Sequence, residues 1–196
     1  MGGDDRHEPT RPLRADARRN RDRLIKVAKA MFSEGGADTS LEAIAKAAGV
    51  GIGTLYRHFP TRDALIESVY RNETENLARA ASRFAADLPP VEALRAWLRL
   101  FVDHIATKQV MSSALASMVG GPSELYAESG ALVKAAIALL VDRAVASGAI
   151  RLDIDPIDLL RALAGVACIS SAPGWEESAK RLVDILIAGV RIPTAE

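Results

Sequence analysis

From Leu24 onward the apolar residues of this chain recur at three and four positions, and nowhere do they alternate at period two. Spacing of that kind gathers side chains on one face of a helix, whereas a half-buried strand needs alternation, so the pattern predicts an all-α fold of nine helices. Leu24, Ile25, Ala28, Met31 and Phe32 form the first stripe, on a helix expected from about Asn20 and stopped by Gly35 and Gly36. Thr39 with Glu42 three residues on reads as a capping box for a short second helix that turns Ile44, Ala45 and Ala48 inward and ends at Gly49. A third helix is expected from about Gly51 to His58. After Pro60, Thr61 caps a long fourth one carrying Leu65, Ile66, Val69, Leu77, Ala81 and Phe84, closed by Pro89 and Pro90.

Everything beyond Pro89 again reads as helix. Leu94, Trp97, Leu98, Phe101, Val102 and Ile105 make one stripe, and a short helix is expected around Val110, Met111, Leu115 and Met118. Gly120 to Ser123 is a loop, Gly148 ends the helix after it, and Asp155, Pro156 and Asp158 supply a cap, a first-turn proline and a carboxylate near the positive helix end. The last helix follows Ala172-Pro173-Gly174 and turns Leu182, Val183, Leu186, Ile187 and Val190 inward, with Trp175 placed to cap the final two helices.

Composition narrows the function classes. With 49% hydrophobic residues over 196 there is ample material for a packed core. The longest apolar run, Ala162 to Ile169, is far short of the roughly 20 residues of a membrane span, and the first ten residues are charged, so no membrane and a cytoplasmic location are expected. One cysteine, Cys168, read as a small core residue, and three scattered histidines give no disulfide and no metal-ligand spacing. No phosphate-binding glycine loop, nucleophile elbow or paired carboxylates point to an enzyme, and no cofactor is expected. Net charge is zero overall but uneven: residues 1–62 carry 12 Lys and Arg against 8 Asp and Glu, net +4, and the rest is net −4. A polyanion partner would meet the basic end, although an arginine-rich arm alone accounts for the same asymmetry.

Ala48, Gly49 and Val50 form a tight turn between the second and third helices, as a helix-turn-helix requires for its second helix to stand proud and enter a major groove. Leu55 and Phe59 anchor that helix and leave Ile52, Thr54, Arg57 and His58 outward. The stretch TSLEAIAKAAGVGIGTLYRHFPTRDAL, Thr39 to Leu65, resembles the DNA-binding signature of the TetR family, with Ile44-Ala45, Ala48-Gly49-Val50, Gly53-Thr54-Leu55-Tyr56, His58-Phe59 and Leu65 as its landmarks. The likeness extends back through Met31-Phe32 and Gly36 and so covers about the first third of the chain. Charge, Pro and Gly without apolar periodicity predict a disordered basic arm at 1–15 and the Pro89 break a domain boundary; with the resemblance this gives a helix-turn-helix domain at 16–62, a connecting helix at 63–88, and a ligand-binding and dimerisation domain at 89–196.

The resemblance also implies roles. Tyr56 and His58 would bond phosphate oxygens, Ile52 and Thr54 would read base edges, and Thr39 and Ser40 would offer hydroxyls or amides to phosphate. Arg62 stands where the family often has lysine and could still bind a phosphate; Gly51 stands where serine or threonine is common and forfeits a side-chain contact.

One reading helix touches few base pairs, which calls for a two-fold dimer on a palindromic operator. Candidate contacts are Leu160, Leu163, Val166 and Ile169 on one helix and Leu182, Ile185, Leu186 and Ile187 on the other, unless these simply fill a single-chain core. A pocket for an unknown small-molecule effector is implied by the family, with Trp97, Phe101, His104, Met111, Met118 and Tyr126 as candidate walls or ordinary core. The expected function is a ligand-responsive repressor; the alternative is a constitutive DNA-binding regulator whose C-terminal domain takes protein partners.

Overall fold

The computed structural model describes residues 11–169 and 174–192. Among them are nine α-helices and one 3₁₀ turn: α1 (Arg11–Gly35), the turn Gly36–Asp38, α2 (Leu41–Ala47), α3 (Ile52–His58), α4 (Arg62–Asp87), α5 (Pro90–Val110), α6 (Ser112–Ala116), α7 (Ser123–Ala146), α8 (Pro156–Ile169) and α9 (Trp175–Val190). The one β-type pairing is an isolated bridge between Ile150 and Arg191, tying the end of α7 to the end of α9.

Local chemistry sets the boundaries. α1 begins at Arg11, well before the apolar stripe and inside the segment expected to be a disordered arm; residues 1–10 lie outside the described residues. Pro12 falls in the first turn, where its missing N–H costs nothing, and Arg19 bonds Asp16 one turn back, so a polar stretch extends the helix ahead of its apolar stripe. The cap of α2 is Ser40, whose Oγ accepts from the Ala43 amide at 3.1 Å, and not Thr39. Thr39 is buried and its hydroxyl donates to the Met31 carbonyl at 3.0 Å, so the hydroxyl of that neighbouring pair facing the helix start does the capping. Gly49 adopts φ +66°, the left-handed conformation that closes the turn to α3. Thr61 caps α4 as expected, accepting from Ala64 at 3.1 Å. α5 continues to Val110, so the short helix expected around Val110 starts only at Ser112.

Two cores result. The head core gathers Leu24, Phe32, Ile44, Leu55, Phe59 and Leu65 with their neighbours, and the bundle core gathers residues of α4, α5, α7, α8 and α9 around Trp97. Trp97 is fully buried and its indole N–H donates to the Leu77 carbonyl at 2.9 Å, pinning α5 to α4. The line at Pro89 does not separate the two cores: Met111, Ala114 and Leu115 of the α6 region and Leu125 of α7 are buried in the head core. At Gly36, φ +53°, an added Cβ would stand 2.3 Å from the Ser113 hydroxyl, so α6 lies directly on the 3₁₀ turn. The Val119 amide donates to Asp63 at the start of α4, 2.9 Å away. Among the described residues no helix is long and apolar enough to cross a membrane.

Candidate functional site

Helix α3 is fixed from beneath and open above. Leu55 and Phe59 are buried in the head core, while Ile52 is 37% and Tyr56 45% exposed, large hydrophobic surfaces that the fold leaves in water. Thr54 and His58 are half-buried, Ser40, Gly51, Gly53 and Arg57 are exposed, and nothing lies within 4 Å of where a Cβ on Gly51 or Gly53 would stand. The structure therefore brings Ile52, Thr54, Tyr56 and His58 to one short helix, with Ser40 at the start of α2. Two expected members are otherwise engaged. Thr39 is inside, as described above. Arg62 donates to the Thr39 carbonyl and, at 3.4 Å, to that of Gly36, with its guanidinium 5.2 Å from the Phe32 ring centre, so it brackets the α1–α2 junction from within.

Arg21 and Arg23 of α1 escaped the sequence reading. The Arg21 guanidinium lies 5.3 Å from the Phe59 ring centre and Arg23 reaches the Ala48 carbonyl at 3.4 Å, so both cations flank the helix-turn-helix. Their position on the polar side of the first stripe was the available signal.

In the bundle, residues of α4, α5, α7 and α8, with Ser112 of α6, line a solvent-open cavity of about 460 Å³. Of the six expected wall residues, Phe101, His104 and Tyr126 line it. Trp97 is packed in the bundle core, Met111 is fully buried in the head core, and Met118 packs against that core from outside; none of the three borders the cavity. Their apolar faces point inward as periodicity implied, but toward atoms instead of the void. The aromatic wall is continuous: Phe101 stacks on His104 at 6.2 Å, and Tyr70 stands 6.0 Å from His104 and 5.5 Å from Tyr126, with core Trp97 stacked behind Phe101 at 5.9 Å. Burial and the nearby Lys108 and Lys29 ammonium groups push His104 down to about 4, so its imidazole is neutral near pH 7. Burial and the neighbouring Tyr126 hold the Tyr70 hydroxyl up at about 12, so it too is neutral. Lys108, Ser129 and Cys168 also face the cavity and were not anticipated; Cys168 is exposed, which corrects its expected place in the core.

The candidate dimer residues divide. Leu160, Leu163 and Ile187 are buried in the bundle core of their own chain, Leu160 also bordering the cavity, so they fill the core instead of standing on a free surface. Ile169 is 89% and Ile185 66% exposed, and Val166, Leu182 and Leu186 are half-buried at the edge of the core. Trp175 is buried under the bundle where α9 starts.

Comparison with known proteins decides the family. Residues 24–69 match the model for bacterial regulatory proteins of the tetR family, and residues 89–192, more than half of the chain, match that for the C-terminal domain of SbtR-like transcriptional regulators. The chain belongs to the TetR family. A TetR transcriptional regulator from Streptomyces coelicolor is 47% identical, with a TM-score of 0.79 over 89% of this chain and 99% of that one. A TetR regulatory protein from Mycobacterium vanbaalenii is 31% identical, with a TM-score of 0.74 over 92% of this chain and 100% of that one. The HTH-type transcriptional regulator UidR of Escherichia coli (strain K12) is 33% identical over 94 residues, 47% of this chain and 42% of UidR. The chain thus matches less than half the length of that curated relative. These TetR-family proteins are transcriptional regulators and not enzymes. The first family match spans α2 and α3 whole and stops within α4.

Proposed function

We propose that this TetR-family protein is a ligand-responsive repressor that binds a palindromic operator as a homodimer. The single observation that carries the reading is α3: a helix of seven residues keeps Ile52 and Tyr56 in solvent while Leu55 and Phe59 seal its underside. In this reading Tyr56 and His58 bond phosphate and set the register, Ile52 and Thr54 touch base edges, and Arg21, Arg23 and Ser40 add backbone contacts. Thr39 and Arg62 hold the helix-turn-helix together and leave the DNA to their neighbours. Ile169 and Ile185 mark the two-fold face, with Val166, Leu182 and Leu186 at its margin. The cavity receives the effector, which must favour wrongly spaced reading heads; a tenfold release of DNA needs about 1.4 kcal/mol of coupling.

Selection of sites from random duplex DNA by the purified protein tests the reading, followed by gel shifts on the recovered sequence. A palindrome bound by a dimer is the expected result. Tyr56→Ala should weaken specific and non-specific DNA alike by tenfold or more, whereas Thr54→Ala should change base preference at one position per half-site. A protein that ignores duplex DNA at low salt overturns the proposal.

A further inference from the structure

The cavity of about 460 Å³ has a distinct polarity. No Asp or Glu borders it, and the two residues of fixed positive charge that do are Lys108 and Arg161. They differ in kind. Arg161 is already neutralised, its Nη1 donating to Asp158 Oδ1 at 2.7 Å. Lys108 is half-buried, and among the described residues no carboxylate lies within ion-pair distance of it; its Nζ rests 3.8 Å from the centre of the Tyr126 ring. A ring face compensates an ammonium only in part. Burial accordingly pushes the Lys108 ammonium below its ordinary value. Apolar side chains line the same pocket: Phe101 and Ile105 on the face of α5 that carries Lys108, Val133 of α7 and Leu160 of α8, with neutral His104 beside them.

We propose, resting on the effector reading above, that the ligand is an amphipathic monocarboxylate whose carboxylate bonds Lys108 Nζ and whose apolar body lies against Phe101, Ile105, Val133 and Tyr126. A charge-assisted hydrogen bond supplies the partner that Lys108 lacks inside the protein. A cationic ligand would meet the Lys108 ammonium with no carboxylate on the lining to offset it. An uncharged polyhydroxylated one would leave the Lys108 ammonium without a counter-charge. The volume admits about 15 water-sized groups, enough for a body of about ten carbons with its headgroup.

The test is calorimetric titration of the purified full chain with three isosteres, 4-phenylbutyrate, 4-phenylbutanol and 4-phenylbutylamine, and with decanoate as a carboxylate of different body. The acid should bind at least tenfold tighter than the alcohol and the amine. Lys108→Met, which keeps an apolar stem, should bring the acid down to the affinity that the alcohol shows for the same variant; thermal melts check that this variant folds. Equal or tighter binding of the alcohol or amine by the unmodified protein overturns the proposal, as does failure of both carboxylates to bind or an acid preference that survives Lys108→Met. The two readings fail separately. If operator DNA is released by a neutral compound while the acids bind no better, the headgroup assignment falls and the effector reading stands. If the acids bind through Lys108 and operator affinity never changes, the effector reading falls and the assignment stands.

Discussion

The head built on α1–α3 and the bundle built on α5 and α7–α9 solve opposite problems with the same element. The head fills its centre completely and puts its distinctive side chains, Ile52 and Tyr56, in water. The bundle also leaves large apolar side chains in water, among them Leu132 and Leu139 of α7, and beside its core it leaves a solvent-open pocket where close packing would place side chains. A site on a surface asks for rigidity beneath it; a site inside asks for room and for few, well-chosen polar groups.

The contrast can be broken most forcefully at Phe59, fully packed beneath α3. Phe59→Ala should destabilise the protein by about 3–5 kcal/mol, read by urea denaturation. A loss below about 1 kcal/mol would mean the head is not a filled core. His104 comes next. Its folded value of about 4 lies below the ordinary 6.5, so the unfolded chain binds more protons between those pH values. This contribution is full above about pH 6.5 and should fall by about 2 kcal/mol by pH 5 and about 3 kcal/mol by pH 4; His104→Asn should flatten that dependence in denaturation curves taken at pH 7.5 and 5. Ile105, half-buried and bordering the void, has fewer atoms to lose: Ile105→Ala should lower stability by only about 1 kcal/mol and, in titrations with 4-phenylbutyrate, weaken binding several-fold. Smallest is the cap of α2, where Ser40→Ala should shift the melting free energy by about 1 kcal/mol or less, and Thr39→Ser, which keeps the hydroxyl bonded to Met31, by less still.

The difference between the regions also explains what the sequence disclosed. Short helices leave their marks in caps and turns, so Gly49, Gly51, Thr61 and the inward set Ile44, Ala45, Leu55 and Phe59 were legible residue by residue. A Thr-Ser pair offers two capping hydroxyls, and only the Met31 carbonyl beside Thr39 decides between them. Periodicity detects burial, so it passed over the polar first turns of α1. It also reports that a side chain turns inward without reporting what it meets: Trp97 and Met111 meet core atoms, Phe101 and Tyr126 border the cavity. For the same reason Leu160 and Leu163 could not be told from Ile169 before the long-range packing of α8 on α5 and α9 was known. Lys108 and Tyr70 left no trace at all, because each takes its meaning from neighbours distant in the chain.

The burial of Met111, Ala114, Leu115 and Leu125 beneath the helix-turn-helix has a practical consequence for anyone recombining such proteins. A reading head excised at the end of α4 would expose a bare hydrophobic socket, and a chimera joined there would seat a foreign plug in it. Swapping specificity between relatives therefore calls for grafting 111–125 together with the chain through Tyr70 as one module.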